Sequence, residues 1–351
     1  MADTLDQIDL AALTAYDDII DVRSPGEFAE DHMPGAINLP VLSNEERVEI
    51  GTLYVQKSRF LARRIGAAYV ARNIAHHLET TLADRPGGYQ PLIYCWRGGQ
   101  RSNAMATVLR QVGWRAVLVT GGYKTWRRFV SESLYDAEPS LKVILLDGNT
   151  GSAKTEILGR MASRGVQVLD LEGLAAHRGS VFGAMSRDGQ PSQKMFEGRL
   201  LQAMATLDPS RPVLIEAESS KIGDRMVPPI LWKAMQTAPR IVIEASPADR
   251  VGYLVRAYRD ISEDETALYE AIDRLPPLYG RQRLADWKQM VTDQAFDSLA
   301  EALMEVHYDP AYGRSSRQDS RPCLGTITPP NLDDGGQEVA ADQIAALVLK
   351  P

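Results

Sequence analysis

The sequence predicts an α/β protein of two units, each built on a mostly parallel sheet, with a helical extension after the second. Three observations carry this. Short apolar runs alternate with segments of helical periodicity, as strands do when crossover helices join them. The pattern relaxes once, around Asp136–Ser140, and then restarts. A length of 351 residues exceeds the roughly 150 of one ordinary domain.

The elements follow in order. Residues 18–22 (Asp-Ile-Ile-Asp-Val) read as a buried strand. Ser24-Pro25-Gly26-Glu27 opens a helix, with Ser at the cap, Pro at the first helical position and Glu three residues after the cap. Pro34-Gly35 turns into a strand at 36–39, and 44–83 are mostly helical. A strand at 91–94 leads to a loop opened by Cys95. A helix at 103–112, a strand at 116–119 and a helix at 123–133 complete the first unit, 1–135. The second unit, 141–312, begins with the apolar run of 141–146 and has further strands at 212–216 and 240–244. It has helices at 154–163 and 248–258, and helical periodicity dominates 262–306. Residues 313–351, rich in Ser, Pro, Gly and Asp, read as an irregular tail with a possible short helix at 337–349.

The net charge is −7, yet residues 50–128 hold thirteen Lys and Arg against Glu79 and Asp84, leaving +11 there and −18 elsewhere. Such segregation suggests a basic face for a polyanion. Arg59, Arg63, Arg64, Lys124, Arg127 and Arg128 are its candidate phosphate contacts. Two cysteines make no disulfide framework, and the acidic start has neither the positive region nor the apolar core of a signal peptide. No apolar run approaches the roughly 20 residues that span a bilayer. A cytoplasmic protein with no membrane partner is expected.

Two constellations carry chemistry. Cys95 ends a strand and starts the loop Cys95-Trp96-Arg97-Gly98-Gly99-Gln100-Arg101-Ser102 before a helix. Backbone N–H groups converge at such a helix start, and the dipole favours negative charge. Those surroundings lower a thiol pKa and give a nucleophile with a ring of anion donors. Cys323, in the tail, lacks that setting. The second constellation is Gly148-Asn149-Thr150-Gly151-Ser152-Ala153-Lys154-Thr155, between a strand and a helix. It fits a phosphate-binding P-loop, with Lys154 against phosphate charge and Thr155 able to hold Mg2+. Ala153 stands where that pattern has its last Gly. Glu216 and Glu218 end an apolar strand, as a metal-coordinating second motif would. Neither His76-His77 nor His307 has metal-ligand spacing, and no metal site is assigned with certainty.

The first unit resembles a rhodanese domain through Ile20-Asp21-Val22-Arg23-Ser24-Pro25-Gly26-Glu27-Phe28, through 32–40 and through the Cys95 loop. That resemblance implies framework roles for Asp21 and Arg23 and a sulfur-carrying Cys95. The six-residue step from Cys95 to Arg101 departs from the five usual in sulfurtransferases and equals the Cys-x5-Arg of cysteine phosphatases. A wider loop fits a larger anion, and from the loop alone sulfur transfer and phosphate-ester hydrolysis are both open.

The chain as a whole, from about 15 to 312, resembles the tRNA 2-selenouridine synthase family. The matching residues are Asp170-Leu171-Glu172-Gly173 through His177-Arg178-Gly179-Ser180 to Gly183, then Gln193 to Glu197, Gly121-Gly122-Tyr123-Lys124, Glu216-Ala-Glu218-Ser219, Ile222-Gly223 and His307 to Tyr312. The resemblance implies a P-loop NTPase-like second domain. It implies replacement of sulfur by selenium in wobble 2-thiouridine of tRNA, with selenophosphate as donor, through an S-geranylated intermediate made from geranyl diphosphate. These are co-substrates; no tightly bound cofactor is expected. The implied partners are tRNA, selenophosphate and the enzyme that supplies it. Selenophosphate, a tetrahedral anion, suits the Cys95 loop, and diphosphate suits the Gly148–Thr155 loop, with Glu172, His177, Arg178, Glu216 and Glu218 as candidate pocket residues. Alternatives are a tRNA sulfurtransferase or cysteine phosphatase fused to a P-loop kinase, and a non-catalytic module using both loops as anion sensors.

Overall fold

In the computed structural model, residues 4–138, 140–178, 189–259 and 264–350 are described. The chain forms two units. One is Met1–Ala137 with Pro191–Ala205, and the other is Glu138–Gln190 with Thr206–Pro351.

The first unit holds a parallel sheet, β1-β5-β4-β2-β3 (Thr4–Leu5, Val117–Val119, Leu92–Tyr94, Ile19–Asp21 and Ala36–Asn38). Its strands are short apolar runs because both faces are covered. Ile20, Ile93, Met105 and Leu109 are fully buried in its core. The helices are α1 (Leu10–Leu13), α2 (Pro25–Glu30), α3 (Asn44–Gln56), α4 (Arg59–Glu79), α5 (Gln100–Val112) and α6 (Tyr123–Ser131). Ser43 caps α3 in a capping box with Glu46, and Ser58 caps α4, so the residues 44–83 expected to be helical divide at Lys57-Ser58. The edge strand β1, in the acidic start, was not legible: two residues are too few for a period.

The second unit holds β12-β11-β6-β8-β7, again parallel (Cys323–Ile327, Arg240–Ile243, Lys142–Gly148, Pro212–Glu216 and Gln167–Leu169). Central β6 is buried along Val143–Gly148, which explains its unbroken apolar run. Between β6 and β11 lie α7 (Lys154–Gly159), α8 (Leu171–Ala175), the short antiparallel β9 and β10 (Lys221–Ile222, Arg225–Met226) and α10 (Pro229–Thr237). After β11 comes α11 (Pro247–Ala257). Helices at Glu265–Asp273, Gly280–Thr292 and Phe296–Leu303 pack a small core of their own around Trp287, Ile272 and Val291. Among the described residues no helix is long and apolar enough to cross a membrane.

Two boundaries differ from the sequence reading. Residues 313–351 are not an irregular tail, although the short helix expected at 337–349 is present within a longer one. A helix runs over Asp309–Gln318, Cys323–Ile327 is an edge strand of the sheet, and a helix over Asp334–Val348, capped by Asp333, buries Ala340, Ala341, Ile344, Ala345 and Val348 in the sheet's core. The Gly and Asp residues that signalled a loop are the turn and cap of that helix. Helix α9 (Gln193–Ala205), although it falls within the expected second domain, belongs to the first unit. Its buried Glu197 bonds Arg127 and Tyr135 there, and a Cβ at Gly198 would lie 3.5 Å from the Trp126 ring.

Candidate active site

Parallel strands present their C-terminal ends together, where α/β sheets place their ligands. In the first unit β4 ends at Tyr94, and Cys95 begins the loop to α5. Its thiol is 3% exposed, and its sulfur accepts hydrogen bonds from the Gly99 N–H and the Ser102 hydroxyl, both at 3.2 Å. Burial opposes ionisation, but bonds from the Ser102 side chain and from the backbone of Ser102, Arg97 and Gly99 outweigh it and hold the thiol below its ordinary pKa. The loop is pinned from α6: the Tyr123 N–H donates to the Cys95 carbonyl at 2.8 Å and the Lys124 N–H to Trp96 at 3.3 Å. Gly122, at φ +62°, permits this approach; a Cβ there would collide with the Cys95 carbonyl and the Gly98 N–H.

Beneath the loop lies the Asp21–Arg23 pair at 2.6 Å, with Arg23 1% exposed and its guanidinium 4.0 Å from the centre of the Tyr123 ring. Arg97, Gly99 and Gln100 are exposed at the loop's mouth. Arg101 is turned away from the sulfur. Its guanidinium donates to Glu27 at 2.8 Å, and Glu27 also takes Arg47 at 2.9 Å. Burial opposes the Glu27 charge, yet Arg101, the Ser24 N–H and Arg47 keep its pKa below the ordinary value.

In the second unit the loop Gly148–Thr155 joins β6 to α7. Ala153 sits at φ 58° in the left-handed region, so the residue that replaces glycine has kept a glycine's conformation. The Lys154 ammonium donates to the Gly148 carbonyl at 3.0 Å, and Thr155 Oγ1 to Glu172 at 3.2 Å. Asn149 faces away, toward Asp309 at 2.9 Å. Arg250, 4% exposed, holds the Thr150 carbonyl at 2.9 Å and both Asp309 oxygens.

A cavity of about 380 Å³ opens on this loop. Glu172, Glu216, Glu218 and Arg178 line it together with Tyr253, Tyr258, Tyr308 and Tyr312. Carboxylate oxygens of the three glutamates lie within 4.8 Å of one another. Burial, with the Glu216 and Glu218 charges, pushes Glu172 up to about 9, and burial also raises Glu216 and Glu218, against the pull of Lys154. Glu216 Oε1 is buried without a hydrogen-bond partner among the described residues. Three oxygen donors with an unsatisfied lone pair fit a hard divalent cation. His177 does not line the cavity. It lies against Gly223, and burial lowers its pKa. Gly179–Gly183 lie outside the described residues.

Of the basic candidates, Arg59, Arg63, Arg64, Lys124 and Arg128 are exposed. Arg127 is not available as expected, because it is bound to buried Glu197 at 2.6 Å. Sequence reasoning missed Arg250, Tyr253 and Tyr258, whose only signal was their place on α11.

A family model described as the tRNA 2-selenouridine synthase AAA domain matches residues 141–276, and one for a rhodanese-like domain matches residues 6–129. A protein named tRNA 2-selenouridine synthase from Nitrosomonas europaea is 34% identical over 304 residues, covering 85% of this chain and 78% of that one. Proteins of the same name from Hahella chejuensis and Alcanivorax borkumensis are 35% identical over 315 residues (84% and 80%) and 38% identical over 246 residues (68% and 66%). With both loops in place and both units matched in order, the chain belongs to the tRNA 2-selenouridine synthase family.

Proposed function

We propose that this protein replaces sulfur by selenium in wobble 2-thiouridine of tRNA. The observation that carries the reading is the pairing, in one chain, of an activated thiol in an anion-binding loop with a phosphate loop facing carboxylates and tyrosines.

The first half-reaction alkylates the thiocarbonyl sulfur with geranyl diphosphate. The sulfur attacks the allylic carbon, the C–O bond breaks, diphosphate leaves, and the N3 proton of the base passes to water. Lys154 and the loop N–H groups stabilise that departing charge, while the tyrosines give an apolar wall for the prenyl chain. Mg2+, held by Thr155 with Glu216, Glu218 and Glu172, would share the neutralisation of the diphosphate.

The second half-reaction uses Cys95 and selenophosphate. Selenium there is already at the selenide level, so a balanced route needs no oxidant if the thiolate attacks phosphorus. The S–P bond forms, the P–Se bond breaks, and hydrogen selenide anion leaves. Selenide adds to C2 of the S-geranylated base and expels geranyl thiolate, which takes a proton from water. The selenium proton moves to N3. Water then cleaves S–P, returning the thiol and releasing phosphate. Gly99 N–H and neighbouring donors hold the tetrahedral anion. A separate enzyme supplies the selenophosphate, and the reduced thiol suits the cytoplasm.

The test is to incubate thiouridine-containing tRNA with geranyl diphosphate and selenophosphate and to analyse the nucleosides by mass spectrometry. The parent should yield selenouridine, Cys95→Ala should stop at the S-geranylated base, and Lys154→Ala should leave thiouridine. Normal selenouridine from Cys95→Ala, or normal geranylation by Lys154→Ala, overturns the corresponding role. Labelled phosphate on Cys95 supports attack at phosphorus; labelled selenium retained there overturns it.

A further inference from the structure

A groove of about 700 Å³ lies in the first unit between α3, α4 and α5. Ile50 of α3, Gly66, Val70 and Ile74 of α4, and Ala104 and Val108 of α5 line it. It is open for a reason legible in the residues. Helix α3 buries none of its side chains, and α4 presents small residues at Ala62, Gly66, Ala67 and Ala71, so the facing helices do not fill the space between them. The volume is that of a small-molecule site, apolar in lining with a few polar groups at fixed places.

Those polar places identify the occupant. Gln100 and Arg101, in the first turn of α5, line it, and the next residue, Ser102, holds the Cys95 sulfur. On the wall is Arg63, which stands with exposed Arg59 and Arg64 on α4. An apolar trough lined by the first turn of α5, next to the residue that holds the Cys95 sulfur, and by an arginine of α4 is complementary to an uncharged aliphatic chain attached to a polyanion at the reacting point. An extended peptide would need backbone partners, which the aliphatic walls do not offer.

We infer that this groove receives the prenyl chain of the S-alkylated thionucleoside while C2 of the base faces the Cys95 loop. The inference rests on the proposed two-step reaction and deepens it. The chain enters the first unit with the RNA, and its burial orients the carbon–sulfur bond that must break. Recognition of the alkyl group would then make selenation selective for the activated intermediate over unmodified thiouridine.

The test uses the full-length protein, selenophosphate and two RNA oligonucleotides, one carrying preformed S-geranyl-2-thiouridine and one S-methyl-2-thiouridine. Ala104→Phe and Ala67→Phe, which fill the groove, should each lower kcat/KM for the geranyl RNA by about tenfold or more and leave the methyl RNA within about twofold. The rate of Cys95 alkylation by iodoacetamide should stay at the parent value, showing that the loop is intact. An equal loss on both RNAs, no loss on either, or a defect only in making the S-geranyl base from geranyl diphosphate overturns the groove assignment. If the parent protein itself does not consume the S-geranyl RNA, the two-step reading fails; if the parent consumes it and the variants match the parent, only the groove fails.

Discussion

The Ser102 hydroxyl donates to the Cys95 sulfur across 3.2 Å from a fully buried position in the first turn of α5. The same hydroxyl also reaches the Gly99 carbonyl at 3.2 Å, and its bond to the sulfur favours the thiolate where a buried thiol in apolar surroundings would stay protonated. Ser102→Ala should raise the Cys95 pKa, because the thiolate loses the side-chain hydrogen bond that does most to hold it down. The pH dependence of iodoacetamide alkylation reads this directly; an unchanged midpoint would show that the backbone N–H groups suffice.

The glutamate cluster gives a pH-dependent stability. The Glu172 pKa is raised from 4.5 to about 9, so the folded protein binds that proton more tightly than the unfolded chain does. Its stabilising contribution is complete below about 4.5 and is lost as pH rises through about 9. Glu172→Gln removes that loss. Without divalent cations, the Tm of the variant relative to the parent should climb between those pH values, and a constant difference would contradict the sign. Mg2+ should raise the Tm of the parent more than that of the variant.

Arg127 is tied to Glu197, which is 4% exposed and also accepts from Tyr135 at 2.7 Å. Arg127→Ala leaves a buried carboxylate without its partner, which costs about 3–5 kcal/mol. Denaturant unfolding should show that loss, and Arg127→Met with Glu197→Gln should recover much of it. A loss under about 1 kcal/mol would mean that the pair is screened by solvent.

Arg59, Arg63 and Arg64 are exposed along α4, whereas Arg127 is not free to meet RNA. Replacing each of the first three with Ala should weaken tRNA binding and lower the slope of log K against log salt by about 0.7–0.9 per phosphate contact removed. An unchanged slope would move the RNA to another surface.

Legibility in the sequence was uneven for physical reasons. Both anion loops stood out because a strand, a glycine-bearing turn and a helix start are contiguous in the chain, and their N–H geometry is local. The helix start at Ser24 was equally local. The edge strand at Cys323–Ile327 was not legible, since its pairing with β11 joins segments some eighty residues apart and its exposed face lacks apolar alternation. The tyrosine wall was scattered over α11 and the 304–318 region, with no spacing to read.

The sequence by itself determined the two α/β units, the thiol loop and the phosphate loop, because covalent neighbours and backbone geometry suffice for them. Only the tertiary structure decided which charges remain free. Side-chain pairing depends on distant elements, which is why Arg101 went to Glu27, Arg127 to Glu197 and Arg250 to Asp309. It also decided that three glutamates from the end of one strand and a helix share one pocket, where burial, invisible in a linear chain, raises the pKa of each.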